Sequence, residues 1–213
     1  PEAVTALINR LKHDGDNDVI KAAFEALAKL GERLPPEALA ALINRSEHDE
    51  VPDVRYVAVN ALGNLGERAP PEAVAALINR VEHDENEAVK YFAVKALANL
   101  GVRAPPEAAT LVAKYCIDHR HDDLPADLDS SDNVLRKFKV PAVGGTYIEL
   151  LGHPDFSNRR FAAELIGDLG EHAPPEAAAA LADALKDHHA EVREEAAKAL
   201  RKVFRFADKT APL

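Results

Sequence analysis

The sequence predicts an all-α fold, a right-handed αα-superhelix built from about six two-helix repeats of roughly 35 residues each. Three observations carry the prediction. A segment opening Pro-Glu-Ala stands at Pro1, Pro36, Pro71 and Pro106, a spacing of 35 residues, and returns at Pro175. Within each copy the apolar residues fall at helical spacing. Alanine and leucine dominate, with 5% aromatic residues and neither Trp nor Met, a composition that suits close helix packing rather than a sheet.

The first segment of each copy reads as a helix because Val4, Leu7, Ile8 and Leu11 lie on one face, and the same pattern recurs after Pro36 and Pro71. Proline is tolerated at the first helical position, where its missing amide has no intrahelical acceptor, and the following glutamate suits the positive end of the helix dipole. The second segment is clearest in the third copy, where Val89, Phe92, Ala93, Ala96, Leu97 and Leu100 share a face. It is expected to stop at Gly101, as its counterparts stop at Gly31, Gly66 and Gly170, since glycine closes a helix in the left-handed conformation. One such pair leaves apolar surface on both sides, so the copies must stack.

The expected boundaries are 1–35, 36–70, 71–105, 106–140, 141–174 and 175–213, all in a single domain 1–213. Regularity fails in the fourth copy, where Pro125 and the Asp/Ser cluster up to Asn133 oppose a normal second helix. Val134 to Lys139 is expected to supply a shortened one. The fifth copy opens with Gly144-Gly145 inside its first helix. In the last copy the run from Arg201 to Phe206 replaces the Leu-Gly stop and reads as a C-terminal cap. The chain opens mid-pattern without Met, and a fragment of a longer protein is the expectation.

Asp53-Val54-Arg55-Tyr56, leading to Ala61-Leu62-Gly63, resembles the short HEAT-like repeat of the phycobilin-lyase type, as do Val89 to Leu97 and Val192 to Leu200. The first copy departs from it, with Ile20 at the arginine position. The resemblance covers nearly the whole chain and is specific for fold, not for function. A tetratricopeptide array, with a period of about 34 residues, is the rival, but its Trp, Leu-Gly and Tyr signature is not met.

In proteins of this kind one row of second-helix positions lines the concave wall. Carried over copy by copy, that row is Lys21, Tyr56, Tyr91, Arg160 and Glu194, with Glu25, Asn60, Lys95, Glu164 and Lys198 beside it. Core positions repeat while these vary in charge and size, as a shaped recognition surface would. Partner-binding residues are therefore expected at Lys21, Tyr56, Asn60, Tyr91, Lys95, Arg160 and Glu164, with Tyr56 and Tyr91 exposed and stacked as neighbours. Free drift of a solvated face is the plain alternative.

Arg10, Arg45 and Arg80 recur unchanged and are expected in repeated structural ion pairs at the surface. His13, His48, His83 and His153 recur at the turn between the two helices. Adjacent repeats stand about 10 Å apart, too far for these side chains to share one ion. His119, His121 and Asp122 form the densest ligand-type cluster, a weak metal candidate better read as a solvated loop. Cys116 has no His/Asn partner set and reads as a small buried residue. Arg136-Lys137-Phe138-Lys139 is a short basic patch.

No phosphate loop, nucleophile elbow or acid pair of catalytic spacing occurs, so neither an enzyme nor a cofactor is expected. A formal charge of −10 opposes nucleic-acid binding. No apolar run approaches the length of a membrane span, and a single cysteine fits a cytoplasmic setting. The function expected is a scaffold, adaptor or sensor module that binds a protein or peptide. Two alternatives stand beside it. One is a small-molecule or chromophore-handling, lyase-like protein with a site near 119–146. The other is a purely structural or designed array, against which the eroded fourth copy counts.

Overall fold

Proline and short polar caps set the helix starts. A computed structural model of the chain describes residues 2–30, 33–100, 103–119 and 143–210, with side chains as far as residue 205. Its contacts gather into two compact units, Pro1–Ala104 and Pro105–Leu213.

The first unit holds three helical hairpins. They are α1 (Glu2–His13) with α2 (Asn17–Ala28), α3 (Pro36–His48) with α4 (Pro52–Gly63), and α5 (Pro71–His83) with α6 (Glu87–Ala98). Pro36 and Pro71 stand at the first helical positions of α3 and α5, as the sequence predicts. Of the second helices, α2 and α6 begin on short polar caps, where Asp16 accepts from the Asp18 amide and Asn86 accepts from Ala88 and Val89, whereas α4 begins at Pro52 without a side-chain cap. After α4 the chain makes one 3-10 turn, Gly66–Arg68, with Gly66 at φ +55°. The glycine is required there because that backbone conformation strains any residue with a Cβ.

The hairpins stack in two rows: α1 packs on α3 and α3 on α5, while α2 packs on α4 and α4 on α6. The core between the rows repeats its side chains, with Leu42, Leu62, Leu77 and Leu97 each fully buried. Burying one such leucine stabilises the fold by about 1.5–3 kcal/mol. Gly63 brings α4 close to α6, since a Cβ placed on it would stand 2.7 Å from Cβ of Ala96.

The second unit contains α7 (Pro106–Asp118), α8 (Gly144–Leu150), α9 (Phe156–Leu169), α10 (Ala177–Ala184) and α11 (Ala190–Thr210). Gly144 and Gly145 open α8 and leave it only seven residues long. Packing of α9 on α11 repeats the second-helix row, again with a glycine, Gly167, whose Cβ would meet the Ala199 backbone at 2.9 Å. Gly170 has the same φ of +55° as Gly66. Where a cap is expected after Leu200, α11 runs on without a break to Thr210. The segment from Arg120 to Ala142, including Pro125, the Arg136–Lys139 patch and the expected short helix, lies outside the described residues, as do Gly31 and Gly101.

Candidate functional site

The second-helix row of the first unit places three sequence-predicted residues, with one more aromatic, on neighbouring helices. Tyr56 on α4 is half-buried, and its ring meets that of Phe92 on α6 edge-on, at 4.4 Å between centroids and 62° between planes. Lys95, one turn along α6, holds its ammonium 6.0 Å from the Phe92 centroid, within cation–π range. Asn60, one turn beyond Tyr56 on α4, is exposed. Lys21 on α2 is partly buried and donates to Asp53 Oδ2 at 3.5 Å, linking α2 to α4.

Two expectations need correction. Tyr91 is not an exposed anchor: only 3% of it is accessible. Nor does it stack on Tyr56, whose aromatic partner is Phe92. The register it occupies borders the stripe that packing covers. A ring there gains by folding under, whereas a lysine or glutamate keeps its charged head in water. Phe92, assigned to the core by its helical spacing, is instead half-buried and central to the patch. Its register gave no consistent signal, holding Ala22 and Val57 in the first unit but the buried Phe161 in the second.

Arg160 and Glu164 lie on α9 in the second unit, the first exposed and the second half-buried. Glu25 and Glu194 are exposed, and Lys198 pairs with Glu194 at 2.9 Å and with Glu195 at 3.3 Å. His119 stacks on Tyr115, with 4.0 Å between centroids, and its Nδ1 donates to the Tyr115 carbonyl at 2.9 Å. His121 and Asp122 lie outside the described residues. Among the described residues no three His, Cys, Asp or Glu side chains are grouped to hold a metal. His48 and His83 turn back onto carbonyls of their own helices. Cys116 is buried, at 1% exposure.

The recurring arginines behave as expected in kind but not in place. Arg10, Arg45 and Arg80 pair with Asp14, Asp49 and Asp84, each four residues on. At Asp84 the pair is no surface bridge, because that carboxylate has no side-chain exposure. It also receives a two-pronged grip from the preceding repeat, Arg55 Nε to Oδ2 at 2.8 Å and Nη2 to Oδ1 at 2.9 Å. The same joint recurs where Arg159 grips Asp187 at 2.6 and 3.0 Å. Burial pushes the Asp84 carboxyl up, but hydrogen bonds from Arg55 and the Asn86 amide outweigh it and hold the group below its ordinary value. The hydrogen bond from Arg159 holds Asp187 well below the usual carboxylate range.

Stacked hairpins, arginine–aspartate joints and a varied second-helix face together define an α-helical repeat protein. The family profile for HEAT repeats matches residues 1–63, 47–126 and 146–212, and the chain belongs to that family. No protein of curated function matches it. Among solved structures it is similar to the archaeal HEAT-like repeats protein from Thermococcus onnurineus NA1. That likeness has a TM-score of 0.60 at 19% identity, over 99% of this chain and 82% of the other. It is also similar to a designed armadillo repeat protein in complex with the peptide (KR)4, with a TM-score of 0.58 at 16% identity, over 94% and 99% of the two chains. An engineered protein matches with a TM-score of 0.56 at 18% identity, over 96% and 97%. At these identities the likeness concerns the fold. No helix among the described residues is long and apolar enough to cross a membrane.

Proposed function

We propose that the chain is a binding scaffold that takes a peptide segment of a protein partner on its second-helix face, centred on Tyr56, Asn60, Phe92 and Lys95. The observation that carries this reading is the half-buried Tyr56–Phe92 pair with Lys95 against it. It joins apolar area, a hydroxyl, an amide and a cation within two adjacent helices. Aromatic side chains supply large contact area and are frequent interface anchors. Lys21, on α2, would extend the surface within the first unit, and Arg160 and Glu164 hold the corresponding register in the second unit. A designed protein of similar fold holds a peptide, which supports the choice of an extended peptide as ligand class.

The test is selection of binders from a displayed random-peptide library on the whole chain, followed by titration of the winners. Tyr56→Ala is expected to weaken them at least about tenfold. Glu37→Ala, on the first-helix row, is expected to leave them unchanged. Peptides that bind Tyr56→Ala as tightly as the parent chain would sink the assignment of this face.

A further inference from the structure

The register of Asn60 carries a different charge on each second helix of the first unit: Glu25 on α2, Asn60 on α4 and Lys95 on α6. Because α2 packs on α4 and α4 on α6, the three stand in one row. Asn60 is exposed with a second helix on either side of it, so stacking of repeats leaves this register open. Glu25 is exposed in the same way.

The other cations of these helices are engaged within the protein. Lys21 reaches Asp53 at 3.5 Å, Arg55 grips Asp84, and Lys90 pairs with Glu87 at 2.7 Å. The Glu25 carboxylate is in no ion pair among the described residues, and Lys29, one turn on, makes none with it. Asp18, at the start of the same helix, is exposed as well. The row therefore runs from negative at α2, through neutral at α4, to positive at α6, where the Lys95 ammonium sits beside Phe92. The Tyr56–Phe92 pair bridges α4 and α6 one turn back from the row.

We propose that the ligand of this face is a charge-ordered peptide, an extended segment that crosses α2, α4 and α6. It sets a basic residue at Glu25, an apolar or aromatic one on the Tyr56–Phe92 pair and an acidic one at Lys95. The proposal rests on the reading of this face as a peptide site, and charge complementarity selects the occupant. Packed helices stand about 8–10 Å apart, and an extended chain advances about 3.3 Å per residue. Two helix steps thus take about six residues. Side chains of an extended segment alternate, so those that face the wall are an even number of positions apart. The basic and acidic residues then stand about six apart, with the apolar one about two from the acidic.

Selection from the displayed random-peptide library on the whole chain tests this. Winners are expected to share that order of basic, apolar and acidic residues. Glu25→Lys is expected to weaken them at least about tenfold, and exchange of their basic residue for glutamate to restore the affinity. Lys95→Glu is expected to act likewise through the acidic residue, and both variants to keep the helicity of the parent chain. Winners that need Tyr56 but tolerate both charge reversals overturn the charge order and leave the peptide site standing. So does a loss that the exchanged peptide fails to restore. Winners indifferent to Tyr56→Ala, or no winners, overturn the charge order and the peptide site together.

Discussion

Asp84 receives three arginine nitrogens and one backbone amide on a side chain with no exposure. Removing Arg55 leaves the buried carboxylate with only Arg80 and the Asn86 amide, so Arg55→Ala is expected to lower the stability of the chain by about 2–4 kcal/mol. Arg10→Ala, at an exposed pair, is expected to leave the urea midpoint nearly unchanged. Comparison of midpoints by circular dichroism checks both. The pH dependence has a definite sign. A carboxyl held low in the folded state contributes stability that is present above its unfolded value, about 3.9, and lost as pH falls through the folded one. Thermal midpoints are therefore expected to be flat from neutrality to about pH 5 and to fall below about pH 4, less steeply in Asp84→Asn. Arg80 was legible as a recurring residue and Arg55 as part of the Asp-Val-Arg opening of α4, while Arg159 was not singled out. The reach of Arg55 and Arg159 to the next repeat was not legible, because helical spacing shows which residues share a face but not which carboxylate a long side chain finds. Tyr91 and Phe92 show the same limit: adjacent aromatic residues at the border of a stripe exchange the roles that periodicity assigns them.

Helix starts and stops were readable where local chemistry decides them: Pro36, Pro71 and Pro106 at first positions, and Gly66 and Gly170 at positive φ. The close passage of α4 and α6 at Gly63 was not readable, since Ala-Leu-Gly looks like a stop signal whether or not a neighbour presses on it. At this scale glycines divide by surroundings. Gly63→Ala forces a methyl against Ala96 and is expected to destabilise by about 1–3 kcal/mol. Gly145→Ala, inside α8 with no heavy atom within 4 Å of its added Cβ, is expected to stabilise by about 0.5–1 kcal/mol. Urea titration of the two variants tests the contrast. Two outcomes of the same sign would mean that helix propensity outweighs packing at both sites, or the reverse.

For the whole molecule, the two units each hold a core of their own. In repeat arrays stability is nearly a sum over local terms, so the halves need not unfold together. Cys116, buried in the second unit and the chain's one cysteine, reports on that half alone. In a urea series followed by helicity and by reactivity to a thiol reagent, the thiol is expected to become accessible over only part of the helicity loss. Complete superposition of the two curves would show a single cooperative block instead.

The joint between repeats has one more consequence. The second and fifth copies each carry the arginine that reaches forward and end at an aspartate that belongs to the copy after them, 29 residues on for Arg55 and 28 for Arg159. The one-residue difference falls between Pro71 and Asp84 as against Pro175 and Asp187, in the first helix and its closing turn, and leaves the grip intact. Chain length is thereby a free variable wherever a copy carries that arginine: the second and fifth copies keep a fastening for whichever copy follows them, whereas Ile20 and Lys90 hold its place in the first and third. A sequence written this way changes in span without having to reinvent its core.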